Sequence, residues 1–419
     1  MPIFSLTIKS LWNRRYTAFL TLLSIALSVT LLLGVERVRT EARSSFANTL
    51  SGTDLVVGAR SGPIQLLLYS VFRIGNATNN ISWQSYREIA DRPEVAWSVP
   101  LSLGDSHKGF RVLGTNQDYF KHYRYGNKQP LAFAEGEVFT DLYDAVIGAE
   151  VARKLHYRLG QEIVLAHGAG AVSFVQHADK PFHIVGILKR TGTPIDQTVH
   201  VSLQAIEAIH VDYRDGAPLP GHHISAEQAR SMDLEPKAIT AFLVGLHSKV
   251  ATFRLQRWIN EYPEEPLLAI LPGVALQELW DMIGVGERAL LAVSTMVLLV
   301  GLTGMLTVLL ASLNERRREL AILRSVGARP WQLFLLMVSE ASCLTALGAV
   351  FGIGLLYLVL LIARPFIESQ FGLQLGVSML TPHELNLLVL LMGGGLLIGA
   401  IPAWRAYRYS LADGMSIRV

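Results

Sequence analysis

Histidine is the residue type in this sequence best suited to holding a metal. Twelve occur among the 419 residues, and a neutral imidazole is a common ligand for zinc or copper. The adjacent His222 and His223 are the candidate metal pair, with zinc as the candidate ion and with His177, His183 and His200 elsewhere to help form a site. Scattered histidines are ordinarily surface or hydrogen-bonded core residues. Adjacent side chains also point differently, and no His-x-x-x-His spacing supports the pair. The one cysteine, Cys343, lies in an apolar run, which excludes an intramolecular disulfide and a cysteine-based metal site.

Other chemistry is thinly represented. There is no His-Glu-x-x-His, no Gly-x-Ser-x-Gly, no dinucleotide loop and no Gly-x-x-x-x-Gly-Lys-[Ser/Thr] phosphate loop. Leu50-Ser-Gly-Thr-Asp54 faintly matches an ATPase signature, but without a phosphate loop it reads as chance. The chain is therefore expected to be non-catalytic and to carry no nucleotide of its own. Glu340 heads a long apolar run, and an intramembrane carboxylate is by default a functional candidate. Enough apolar residues follow it to cross a bilayer, which would place Glu340 near the membrane interface.

The segment Asn314–Trp331 concentrates charge: Glu315, Arg316, Arg317, Arg318, Glu319 and Arg324. Leu320, Ile322 and Leu323 are interleaved with those charges, so a short amphipathic helix is expected. Gly327 suits its C-terminal stop and Pro330 the restart of another helix. Such a helix can dock into another protein; the plainer alternative is a basic loop anchored at the membrane surface.

These residues need elements to position them, and composition says what kind. With 51% hydrophobic residues, 17% charged and a mean hydropathy of +0.34, the chain is too apolar for an ordinary soluble protein. A net charge of +3 gives no reason to expect a nucleic-acid partner. Four predominantly apolar runs can cross a bilayer, over residues 16–35, 288–313, 332–363 and 385–404, their uncharged stretches beginning near Tyr16, Ala289, Ala341 and Leu385. The first is longer than the apolar region of a cleaved signal peptide. Lys9, Arg14 and Arg15 precede it, the Arg316–Arg329 group separates the second and third, and Arg405, Arg408 and Arg418 follow the fourth. The short loop 364–384 offers Arg364 alone, so the basic side, with both termini, is expected in the cytoplasm. By that topology all twelve histidines lie outside the cytoplasm, eleven in residues 36–287 and His383 in the short loop.

The expected fold is an α-helical membrane protein with four transmembrane helices and a large mixed α/β extracytoplasmic domain, residues 36–287, between the first and second. Helical stalks are expected over Val35 to Phe46 and around Leu276, Leu279, Trp280 and Ile283. Between them, strands are read at Asp144 to Gly148, Gln161 to Ala166, Phe182 to Leu188 and Thr198 to Val201. Helices are read at Ala149 to Tyr157 and from Ser202 as N-cap through His210. Residues 62–80 resist assignment and could form a mobile loop. Gly348 with Gly352, and Gly395 with Gly399, have the four-residue spacing that permits close helix contact in lipid. Residues 1–15, with Phe4, Ile8, Leu11 and Trp12 on one face, read as an interfacial helix resting on membrane lipid, and residues 405–419 as a tail.

The charged segment resembles the coupling region of the FtsX/MacB (type VII) family of ABC permeases. That family's pattern is a basic and acidic run, an alanine-leucine stretch, a basic residue, a Gly-Ala turn and an aromatic. Here these are Arg316 to Glu319, Leu320 to Leu323, Arg324, Gly327 with Ala328, and Trp331. Val146-Ile-Gly-Ala-Glu-Val-Ala-Arg-Lys-Leu155 and Thr191-Gly-Thr-Pro-Ile-Asp196 are similar to the family's MacB-like periplasmic core domain. Pro402-Ala-Trp-Arg-Ala-Tyr-Arg408 resembles its closing motif, whereas Leu411-Ala-Asp-Gly-Met415 departs from the arginine-rich tail.

The resemblance implies an inner-membrane permease subunit, without cofactor, driven by a cytoplasmic ATPase dimer that binds ATP and Mg. The residues from Glu315 to Trp331 named above would receive the ATPase. A second permease copy, most simply as a homodimer, and a periplasmic adaptor, lipoprotein or binding protein are the other implied partners. Function would then be substrate export or mechanotransmission. The alternative is an extracytoplasmic ligand- or metal-binding sensor or uptake component, zinc-related, working without ATP.

Overall fold

The structure, a computed structural model, describes residues 2–47, 49–168, 177–214, 217–218, 224–315, 317–371 and 379–408. The chain divides into two compact units: Met1–Glu41, Gly284–Phe366 and Leu375–Val419 in one, Ala42–Ile283 and Ile367–Gln374 in the other.

The first unit is helical. A helix over Pro2–Asn13 precedes helices Arg15–Ala47, Pro272–Glu315, Pro330–Phe371 and Pro382–Arg408. Four stretches of these are long and apolar enough to cross a membrane: Arg15–Glu41, Pro272–Leu313, Pro330–Ala363 and Pro382–Arg408. Three of the four helices begin at proline, whose missing N–H and fixed φ suit the first helical position. At Pro382 the start is reinforced, because the Thr381 hydroxyl accepts from the Glu384 N–H and the Glu384 carboxylate accepts from the Thr381 N–H.

The glycine pairs are helix contacts. A Cβ on Gly348 would meet Ile25 at 2.6 Å, and one on Gly352 would meet the Ala26 carbonyl at 2.7 Å, so both face the first helix. Gly395 and Gly399 face the third, where a Cβ would meet Thr345 at 2.4 Å and Ala341 at 2.4 Å. Thr30 donates across the first of these seams to the Gly352 carbonyl at 3.0 Å, and Ser28 donates to the Val297 carbonyl at 3.2 Å. Small residues permit the approach and hydroxyls reinforce it, which suits helices that gain nothing hydrophobic by leaving lipid.

The second unit is built on an eleven-stranded mixed sheet. In chain order its strands are β1 (Leu55–Ala59), β2 (Val95–His107), β3 (Phe110–Thr115), β4 (Phe133–Gly136), β5 (Asp144–Ile147), β6 (Glu162–Ile163), β7 (Ala166–His167), β8 (Phe182–Leu188), β9 (Thr198–Ser202), β10 (Ala241–Leu246) and β11 (Leu267–Ile270). The spatial order is β11-β1-β10-β2-β3-β9-β5-β8-β4, with β7 paired to β2 and β6 to β8. Ile163 and Ala166 therefore pair with strands four places apart. Three residues reach about 10 Å, while four flat strand spacings cover about 19 Å. This half of the sheet must curl, and Val112, Ala145, Ile147, Ile163, Leu165, Ile184, Val199 and Val201 fill its interior.

Phe182–Leu188 forms over the expected residues, and helix Leu203–His210 is capped as expected, with the Ser202 hydroxyl accepting from the Ala205 N–H at 3.0 Å. Two expectations are corrected. Residues 161–166 form two short strands rather than one, because the chain changes partner as the sheet curls. Within 62–80, Pro63–Ser70 is a helix with Leu66, Leu67 and Tyr69 buried; the apolar run that hid its periodicity is its core-facing side.

Candidate functional site

The segment between the second and third membrane helices folds as a helix over Arg317–Ser325. Its end is fixed by backbone geometry. The Ala328 N–H donates to the Leu323 carbonyl at 2.9 Å and the Gly327 N–H to the Arg324 carbonyl at 3.0 Å, with Gly327 at φ 103. This closes the helix in the left-handed conformation that glycine adopts without steric cost. The next helix starts at Pro330, where the Gln332 side chain accepts from the Arg329 N–H at 2.8 Å.

The two faces of the connector helix differ sharply. Leu320 and Ala321 are buried, and Leu320 joins Leu313, Leu333, Met337, Ala403 and Ala406 in one apolar cluster, with Leu323 packed against it. The connector is thereby locked to the ends of the second, third and fourth helices. On the other face Glu319 is exposed, Ile322 is 62% exposed and Val326 83%. These three recur at helical spacing, and Trp331, 50% exposed, follows beyond the turn. Arg316 lies outside the described residues. The arrangement is a turn-limited helix, packed on one side, that presents an apolar and charged face to whatever lies beside it.

At the opposite end of the bundle, charges join all four helices. Arg37 lies 3.8 Å from Glu384, its guanidinium donates to the Tyr357 hydroxyl at 3.4 Å and to the Met379 carbonyl at 3.3 Å, and Arg39 joins Glu36 at 2.8 Å and Glu287 at 3.6 Å. No motif or spacing in the sequence announces this network as a whole. The Thr381-Pro-His-Glu384 capping pattern was its visible signal, since it fixes where the fourth helix starts.

The remaining candidates fall apart. Glu340 is 3% exposed in the third helix, next to Ala341, against which Gly399 packs. His222 and His223 lie outside the described residues. His183 makes a surface pair with Glu162 at 3.2 Å. His200 is fully buried beside Tyr119 and Phe120, and burial lowers its pKa to about 3. His177 is 1% exposed, burial lowers its pKa to about 4, and its ring lies beside that of His210, a residue the sequence reading passed over.

Comparison with known proteins matches two families along the chain. The family described as FtsX-like permease C-terminal matches residues 291–411, and the family described as MacB-like periplasmic core domain matches residues 18–229. The macrolide export ATP-binding/permease protein MacB of Rhodospirillum rubrum is 27% identical over 289 residues, 67% of this chain and 39% of that protein. MacB of Photorhabdus laumondii is 23% identical over 402 residues, 94% of this chain and 57% of that protein. The pyoverdine export ATP-binding/permease protein PvdT of Pseudomonas entomophila is 24% identical over 327 residues, 75% of this chain and 44% of that protein. The chain spans about half the length of these relatives.

Proposed function

We propose, from the premise that this chain belongs to the MacB-like, FtsX-like family of ABC transporter permeases, that it works as a permease subunit whose connector helix takes motion from an ABC ATPase. The observation that carries the reading is the exposed face of Glu319, Ile322 and Val326 on a helix whose other face is locked into the bundle. An apolar face fixed in this way passes a push to three membrane helices instead of yielding to it. Arginine placement supports a cytoplasmic connector: Arg317, Arg324, Arg329, Arg405 and Arg408 lie at one end of the spans. Both termini would then be cytoplasmic and the sheet unit periplasmic.

On this reading ATP and Mg are bound by the ATPase, and two permease copies work together. Motion of the long helices Arg15–Ala47 and Pro272–Glu315 reaches the sheet unit to drive export or to act on a periplasmic adaptor or lipoprotein. The test is co-purification of the full chain with an ABC ATPase, followed by ATPase assays on Arg317→Ala/Glu319→Ala and on Val326→Asp. Retained binding with lost permease-dependent stimulation supports coupling through this face. Full stimulation in both variants rejects it, and failure of any ATPase to associate favours a sensor working without ATP.

A further inference from the structure

The sheet unit brings together four side chains that the permease reading does not use. Asp105, His167, His177 and His210 each offer a ligand atom, all within 4.8 Å of one another. Asp105 Oδ1 lies 3.4 Å from His167 Nδ1 and 3.4 Å from His210 Nε2, and those two nitrogens are 3.0 Å apart. Ligands at about 2.0–2.1 Å from a tetrahedral zinc ion stand about 3.3 Å from each other. Three of the four atoms therefore already outline one face of such a tetrahedron.

The backbone produces this convergence. β7 pairs with β2 so that His167 is the cross-strand partner of Asp105. A bulge between Leu103 and Ser106 interrupts the pairing of β2 with β3 at this point, the kind of irregularity that re-aims a side chain. His210 ends the helix Leu203–His210, and its Nδ1 lies 2.8 Å from the Ile206 carbonyl. A carbonyl only accepts, so Nδ1 carries the proton and Nε2 turns its lone pair to the cluster, as in metal-bound histidines. Lys180, fully buried, joins Asp212 at 3.0 Å and so ties the chain just after His177 to the chain just after His210.

Two polar atoms of this cluster are left wanting. Asp105 Oδ1 and His177 Nε2 are buried and have no well-formed hydrogen bond, although Asp105 is 2% exposed and His177 1%. Buried polar atoms are rarely left so unless something else satisfies them. His167 and His210 keep 38% and 23% of their side chains exposed, which gives an ion a way in from solvent.

We propose that Asp105, His167, His177 and His210 bind one divalent transition-metal ion of zinc's class. Three imidazoles and one carboxylate suit zinc rather than calcium or magnesium, which take all-oxygen sites. The site stands whether or not the connector couples to an ATPase.

The test uses the purified full chain in detergent, stripped of metal and titrated with Zn²⁺ against a chromophoric competitor, then with Co²⁺. One Zn²⁺ per chain and the strong visible absorption of tetrahedral Co²⁺ are expected. His167→Ala and His210→Ala should each weaken Zn²⁺ binding by about 100-fold or more, while His183→Ala and His222→Gln/His223→Gln should leave it unchanged. Native affinity in the His167 and His210 variants, or loss in the His222/His223 variant alone, overturns the proposal. The Co²⁺ spectrum of the unmodified chain decides independently of any variant's folding: no binding, or a weak octahedral spectrum, also overturns it.

Discussion

Arg37 and Glu384, on the first and fourth membrane helices, lie 3.8 Å apart with each side chain only 2% exposed. Tyr357 of the third helix adds its hydroxyl at 3.4 Å and its ring at 5.6 Å from the guanidinium carbon. Three helices far apart in sequence are thus held by one cation, at the level where Thr381 and Glu384 cap the fourth helix.

Removing one member of such a pair strands the other. Glu384→Gln or Arg37→Met should destabilise the bundle by about 3–5 kcal/mol, and the double variant by clearly less than the sum, since neither charge is then left alone. Thermal unfolding of the full chain in detergent measures this. Additive losses would mean that the two side chains do not act on each other.

The glycine seams give a prediction with an internal control. A Cβ on Gly399 would meet the Ala341 Cβ at 2.4 Å, whereas one on Gly393, on the same helix, would meet nothing within 4 Å among the described residues. Gly399→Val should force the third and fourth helices apart and cost about 1–3 kcal/mol. Gly393→Ala should be neutral or slightly stabilising by helix propensity. Equal melting temperatures for the two variants would rule out a close seam at Gly399.

His200 makes the sheet unit sensitive to acid. Burial first, then the charge of Arg73, lower its pKa to about 3, against a weaker opposing bond to the Val146 carbonyl at 3.3 Å. Below pH 6.5 the unfolded chain gains a proton there that the folded chain refuses until about pH 3. Stability from this residue therefore falls across that window as pH drops, by about 2 kcal/mol at pH 5. His200→Gln should flatten that part of the pH dependence in melts of the full chain at pH 7 and pH 5. An unchanged slope would exclude His200 as its source.

What could be read from the sequence was whatever lies close along it. The four apolar runs, the Gly327 stop, the Pro330 restart and the Ser202 cap are local, and each was legible from a few residues. The Gly348/Gly352 and Gly395/Gly399 spacings were legible as contacts, but not which helices they face. The histidines show the limit. His222 and His223 drew notice because they are adjacent, whereas Asp105 and His167 meet only because β7 registers against β2 in a curled sheet. No sequence spacing encodes that pairing; a short strand ending in histidine, and a capped helix ending in another, were the faint signals available.

The two sheet-unit motifs, Val146-Ile-Gly-Ala-Glu150 and Thr191-Gly-Thr-Pro-Ile-Asp196, prove to be one structure. Gly148 ends β5 and starts the next helix, its N–H donating to the Thr198 carbonyl at 3.0 Å. A Cβ there would meet the Ile195 carbonyl oxygen at 2.2 Å and that of Asp196 at 2.4 Å. The loop cannot withdraw, because the Asp196 carboxylate accepts from the N–H groups of Thr191 and Gly192 and from the Thr191 hydroxyl, each at 2.8 Å. Both obstacles are backbone atoms held by these bonds, so Gly148→Ala should cost about 3 kcal/mol or more, at the upper end of overpacking penalties. Gly273→Ala, whose Cβ would meet nothing within 4 Å among the described residues, should be tolerated. Limited proteolysis of the full chain would separate the cases: the Gly148 variant should be cut within the sheet unit under conditions where the Gly273 variant and the native chain resist. Equal resistance in all three would show that the loop yields after all.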